Sequence, residues 1–254
     1  MNKIFTLVAL CVCQLLIAQP NLTVAWLPDT TIHVDAVNFD GSSATLGVGS
    51  SGANRTWNLS NLPLGQAGTI NYQSVASSLY GASFSTATIC EYSLLQGFLY
   101  TYYKADSTKY SLVGYVDQYG NGSNNEPKDF LHFPATYQTA FNDFSTYYSN
   151  YGSSYSVGTI IETVTADGYG TLKTPFANYS HVLRFKVIEA GNDTSVGGSV
   201  VTSTFTNEKY FWVTPDIKGV VLAFINKDLN TGYYSKAVSN YTAIEDVEKI
   251  IRQM

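Results

Sequence analysis

The chain has 254 residues, 45% of them hydrophobic and 13% charged, with 20 Tyr, 13 Phe and 3 Trp. That aromatic and β-branched content is incompatible with a disordered chain, and low charge without a heptad pattern excludes a coiled coil. The formal net charge of −5 argues against nucleic acid or anionic lipid as a partner, because both are bound through basic surfaces.

Met1-Asn2-Lys3 is a short basic start, and Ile4 to Ile17 is almost wholly apolar. With Ala18-Gln19-Pro20 following, residues 1–18 read as a secretory signal peptide cleaved after Ala18. The run is shorter than the roughly 20 residues that cross a bilayer. No later run is long and apolar enough either, so the mature chain is not expected to be an integral membrane protein. Cys11 and Cys13 follow Leu10 and Val12, not the small residue that lipoprotein processing needs. Once the signal is removed Cys90 is the only cysteine, no intrachain disulfide can form, and the fold rests on its core. Cys90 itself reads as a small buried apolar side chain. The expected location is extracellular or at the cell surface, alternatively the periplasm.

Through residues 19–240, Gly, Asn and Ser punctuate runs rich in Tyr, Val, Thr, Ile and Phe, the pattern of antiparallel β structure. Candidate strands in the first half are Thr31–Phe39, Thr56–Leu59, Thr69–Val75, Phe84–Tyr92, Gly97–Tyr103 and Lys109–Gln118. Gly120–Pro127 reads as a polar loop, followed by Phe130–Phe133 and Tyr137–Tyr148. Tyr155–Thr165 ends at Asp167-Gly168, a type I′ turn signal, and Tyr169–Thr174 starts a return strand. In His181–Glu189, His181, Leu183, Phe185 and Val187 share one face, with Arg184 and Lys186 on the other. Ser199–Asn207, Lys209–Thr214 and Gly219–Asn226 follow, the last apolar on both faces and therefore placed centrally. Thr242-Ala243-Ile244-Glu245 is a capping-box pattern, so residues 241–254 read as a short C-terminal helix or linker. The fold class expected is mainly β: a large twisted antiparallel sheet or half-open β-barrel.

Motifs that carry chemistry are sparse. Gly47 to Gly52 matches G-x-G-x-x-G, but no helix pattern follows, so it is a loop and no cofactor is expected. Asp117 to Gly122 is a faint likeness of a calcium loop with Lys128 where the bidentate Glu should stand. A hairpin is the preferred reading there; a weak site of another kind would use Asp117, Asn121 and Glu126. His33, His132 and His181 have no second ligand at metal spacing, and His181, alternating with core positions, reads as structural. Aromatic clusters, among them Tyr100 to Tyr103 and Tyr210-Phe211-Trp212, suit cross-strand packing first and ligand stacking second.

Three segments carry a resemblance. Gly52-Ala53-Asn54-Arg55-Thr56-Trp57-Asn58-Leu59-Ser60-Asn61-Leu62 is one. Asp167-Gly168-Tyr169-Gly170-Thr171-Leu172 leading into Tyr179-Ser180-His181-Val182-Leu183-Arg184 is the second, and Tyr241 to Met254 the third. They resemble secreted Bacteroidota envelope proteins of the type IX secretion kind, which end in a type A sorting domain. Ala177 stands where those proteins have Gly, and no sorting domain follows Met254, so a shortened form of a longer protein is expected. Asp29-Thr30-Thr31 and Asp106-Ser107-Thr108 are similar to O-glycosylation sites of such proteins. The resemblance implies no catalytic residue.

The function expected is a non-enzymatic binding or adhesion module for glycan, lipid or a surface protein. Tyr169, Phe185, Tyr210 and Trp212 are the candidate groove residues, with no catalytic residue and no metal. Two alternatives are a polysaccharide hydrolase, using two carboxylates among Asp117, Glu126, Asp143 and Glu162, and a structural spacer.

Overall fold

A computed structural model describes residues 19–40 and 47–240; the expected signal peptide and C-terminal helix or linker lie outside them. The β-branched and aromatic runs form thirteen strands. They are β1 (Ile32–Asp40), β2 (Gly52–Asn58), β3 (Ala67–Gln73), β4 (Ile89–Ser93), β5 (Leu99–Ala105), β6 (Lys109–Asp117) and β7 (Asn121–His132). Then come β8 (Ala140–Asn150), β9 (Tyr155–Lys173), β10 (Asn178–Gly197), β11 (Ser199–Val213), β12 (Val221–Asn226) and β13 (Thr231–Asn240).

Twelve of these pair antiparallel in the order β10-β11-β12-β13-β1-β3-β4-β5-β6-β7-β8-β9, and β9 pairs again with β10. The sheet is thus a closed barrel, more complete than the half-open form expected. β12 is the two-sided strand anticipated: it lies between β11 and β13, with Leu222, Ala223 and Ile225 inaccessible.

β2 stands outside the barrel, parallel to the second half of β9. The reason is length. β9 has 19 residues, whereas β8 pairs only up to Thr165, so the rest of that edge would be bare. β2 covers it from Gly168 to Lys173. This places two of the segments that carry the resemblance side by side.

Asp167-Gly168 is therefore not a turn. β9 runs straight through it, with Ala166 opposite Phe185 and Gly168 opposite Arg184, and Asp167 is the extra residue of a bulge. The glycines nearby serve close approach: a Cβ on Gly170 would fall 1.9 Å from the Arg55 carbonyl oxygen of β2. The Gly120–Pro127 loop is likewise absorbed into β7, although β6 pairs with Ser123 and then with Lys128, leaving residues 124–127 bulged. His181, expected on the core face, instead sits in a second bulge with positive φ, nearly half exposed.

The bulge at Asp167 turns its carboxylate to the outer face, where Arg184 meets it. Arg184 Nε and Nη2 donate to Asp167 Oδ1 and Oδ2 at 2.7 and 2.8 Å. Its Nη1 donates to the Val48 and Gly49 carbonyls at 2.6 and 3.1 Å. The guanidinium lies over the rings of Trp57 and Tyr210 at 5.1 and 5.0 Å, and is 1% exposed. Only a planar, five-donor cation satisfies two carboxylate oxygens, two carbonyls and the rings at once. Trp57, on β2, packs edge-on to Trp212 at 6.3 Å, and Tyr234 donates to the Leu59 carbonyl, so the strap from Val48 to Leu59 is sewn onto the barrel wall.

One end of the barrel is capped. Leu22 and Ala135 exchange backbone hydrogen bonds at 2.8 Å, and Gly219 donates to the Trp26 carbonyl at 2.6 Å. Gly219 has φ +67 and lies against Pro28, where a Cβ would meet the proline Cα at 2.4 Å. On the flank, a 3-10 turn over Gly81–Phe84 folds onto the outer face, with Phe84 stacked on Tyr102 at 4.1 Å beside buried Cys90.

Replacing Arg184 by Lys keeps the charge but loses the fork and the stacking. Urea denaturation is expected to show a loss of about 3 kcal/mol, and Trp57→Ala a similar loss of about 3–5 kcal/mol.

Candidate functional site: the barrel lumen

Twelve strands enclose more space than side chains readily fill, and larger barrels commonly keep a cavity. Inside, Phe130 of β7 stacks on Phe211 of β11 at 4.7 Å, and Phe211 on Phe185 of β10 at 4.8 Å. This stack props opposite walls apart near the capped end. Towards the other end three cavities remain. The mouth cavity, about 420 Å3, lies among Asn38, Glu91, Gln96, Gln118, Tyr119 and Tyr233. A second, about 330 Å3, lies among Tyr115, Tyr147, Tyr151 and Asp193. A deep one of about 160 Å3 shares Leu112 and Lys128 with the second and Phe224 with the first, so the three are neighbours within the barrel lumen.

The wall around the lumen is weakest between β7 and β8. Their backbones pair only from Asn121–Asn124 to Tyr147–Asn150. Pro127, just beyond, has no N–H to contribute to a ladder. Side chains close the seam instead. Asn125 donates to Thr146 Oγ1 at 2.9 Å, and the Asp129 N–H donates to Asp143 Oδ2 at 3.1 Å. Asp129 is gripped by Lys109, His132 and Ser111 at 2.5, 2.7 and 2.8 Å. Burial would raise its carboxyl, but these bonds outweigh burial and hold it below the usual carboxylate range.

From the same strand Lys128 crosses the lumen. Its Nζ lies 2.8 Å from Glu162 of β9 and 2.8 Å from Glu189 of β10, and Lys209 of β11 lies 2.7 Å from Glu189. Burial works against every charge here. Glu189, with two ammonium groups beside it, is nevertheless held down to about 2, whereas burial and the neighbouring Glu189 charge leave Glu162 raised.

Glu91 is the contrast. It faces the mouth cavity from β4, directly across from Tyr72 of β3. Among the described residues no cation balances it. Burial pushes its carboxyl up to about 7, with the Tyr72 hydrogen bond pulling the other way. Tyr72, Tyr103, Tyr110 and Tyr233 surround it closely enough that, after burial, its charge is what raises their phenols further.

The expected groove residues separate. Phe185 is inside, 1% exposed within the phenylalanine stack, and Tyr169 packs against Tyr137 at 5.5 Å. Tyr210 and Trp212 lie outside, against Arg184, because the residue of β11 that shares the face of Phe185 is its partner Phe211. None of the four lines the three cavities. Of the four carboxylates considered for hydrolysis, only Asp143 and Glu162 are brought together. Asp117 Oδ1 accepts from the N–H groups of Tyr119 and Gly120, Glu126 is exposed, and Asp143 serves the seam. Asp143 and Glu162 are direct cross-strand partners on β8 and β9, and Glu162 also shares Lys128 with Glu189. Among the described residues no cluster of three or more His, Cys, Asp or Glu could hold a metal, and no helix is long and apolar enough to cross a membrane.

Glu189 and Glu91 escaped the sequence reading, although Glu189 had a signal. It continues the Phe185–Val187 face of an alternating strand, where a carboxylate demands a buried partner. Comparison with protein-family models, with curated proteins and with solved structures finds no match to this chain.

Lys128→Met leaves two glutamates without their shared cation. The expected loss is about 3–5 kcal/mol near neutral pH, shrinking in acid as the glutamates protonate. Glu91 gives the opposite pH signature. Its folded value of about 7 lies above its ordinary 4.5, so its contribution is intact below that ordinary value and lost as pH rises through 7. Glu91→Gln is expected to match the wild type in acid and to exceed it by up to about 3 kcal/mol in mild alkali, read from denaturation midpoints across pH.

Proposed function

We propose that this is a secreted or cell-surface, non-enzymatic binding protein that holds a glycan in the mouth of its barrel. The observation that carries the reading is the mouth cavity, about 420 Å3, which offers rings and planar polar groups together. A sugar ring has an apolar C–H face and an edge of hydroxyls. Phe98 and Tyr119 suit the face, and the amides of Gln96 and Gln118 suit the edge. The volume lies within the range of ordinary ligand sites. An overall charge of −5 favours neutral over acidic glycans.

A lipid tail has less support, since amides and carboxylates share the lining. So has hydrolysis. Glu162 and Glu189 do have pKa values driven apart, as an acid and a base require. Both, however, are bound to one lysine beside a cavity of only about 160 Å3.

The test is a glycan array probed with the labelled chain. Retention on a subset of neutral or amino-bearing glycans is expected, and Tyr119→Ala, at an exposed position, is expected to weaken the tightest about tenfold. No retention on any glycan, with uptake of a fluorescent long-chain lipid, would overturn the reading in favour of a lipid carrier.

A further inference from the structure

The fully buried carboxylates of this barrel each have a cation in contact, and the half-buried Glu91 has none among the described residues. Asp129 has Lys109, Glu162 has Lys128, and Glu189 has Lys128 and Lys209, each at 2.5 to 2.8 Å. Glu91 has only the Tyr72 phenol, and among the described residues no cation contacts it. A carboxylate withdrawn from water without a counter-charge is costly and is normally paired. Its surroundings are aromatic. Tyr103 and Tyr110 stack at 4.5 Å, Phe224 and Tyr233 at 5.9 Å, and Tyr72 lies opposite on the neighbouring strand. The Tyr110 hydroxyl is buried with no hydrogen-bond partner. Glu91, Phe224 and Tyr233 all line the mouth cavity, so the group is reachable from solvent.

Rings around a carboxylate, open on one side, are what an organic cation requires. The ring faces attract positive charge, and the carboxylate neutralises it without the water an inorganic ion would keep. We infer that the ligand of the lumen carries a protonated amine or quaternary ammonium group, which docks on Glu91 beside the Phe224 and Tyr233 rings of the mouth cavity. The inference rests on the reading of the lumen as a binding site, and narrows its ligand to a glycan or similar polar molecule bearing a cationic nitrogen. Binding draws the carboxyl into its ionised form, so a proton leaves as the cation enters. Below about pH 7 most of the free protein then has no charge to support there, and the bound form has a neutral pair.

Choline is the probe, because its charge does not titrate, and its uncharged carbon isostere is the control. Titration calorimetry of the full chain is expected to show choline binding at least about tenfold more tightly than the isostere. That preference should grow as pH is raised from about 6 to about 8, following Glu91 ionisation. Glu91→Gln should abolish the preference while leaving the denaturation midpoint at or above that of the wild type. Equal binding of choline and isostere, or a preference that survives Glu91→Gln, overturns the inference. If neutral glycans still bind in that case, the lumen reading stands alone. If neither glycans nor choline bind, both fall.

Discussion

The lumen exists because Lys128 holds it open and closed at once. At the β7–β8 seam the backbone ladder stops, and a barrel that loses its ladder must be joined by something else. Lys128 reaches from β7 to carboxylates on β9 and β10, past β8 altogether, and ties walls that the backbone does not. A salt bridge of this kind does not stabilise for free, since four charges lose water. What it supplies is a defined separation between walls, and so a cavity of defined shape.

The same logic separates two kinds of polar group in the interior. Lys128, Lys209, Glu162 and Glu189 satisfy one another and leave little for a ligand to do. The amides of Gln96 and Gln118, the Tyr119 ring and Glu91 are not absorbed into that network, and they lie together at the open end. The structure therefore places its self-satisfied charges deep and its available ones shallow. That arrangement is why binding at the mouth, rather than chemistry at the deep carboxylates, is the function we propose.

Outside the barrel, the Arg184 site joins segments that lie far apart in the chain. The strap from Val48 to Leu59, the Asp167 bulge and Arg184 itself meet at one guanidinium. Trp57 supplies a ring, the strap supplies carbonyls, and the glycines of β9 leave room for β2 to lie close. These segments share one packing task, the covering of a long strand's bare edge. It carries no information about the ligand.

The residues alone determined that the described part of the chain is mainly β, because alternation, β-branching and turn residues act over a few neighbours. They also determined that Cys90 is buried, that β12 is covered on both faces and that Arg184 lies opposite Phe185 in orientation. Period two is a local property of any strand. Closure of the barrel, the parallel placement of β2 and the bulge at Asp167 were decided only by the tertiary structure, because each depends on which distant strand lies alongside. The same holds for the lumen. Glu91 and Lys128 are ordinary strand residues in the chain, and whether a charge finds a partner is a fact about space. Parity could show that Glu189 pointed inward, but only the closed barrel brought Lys128 to it and left Glu91 without one.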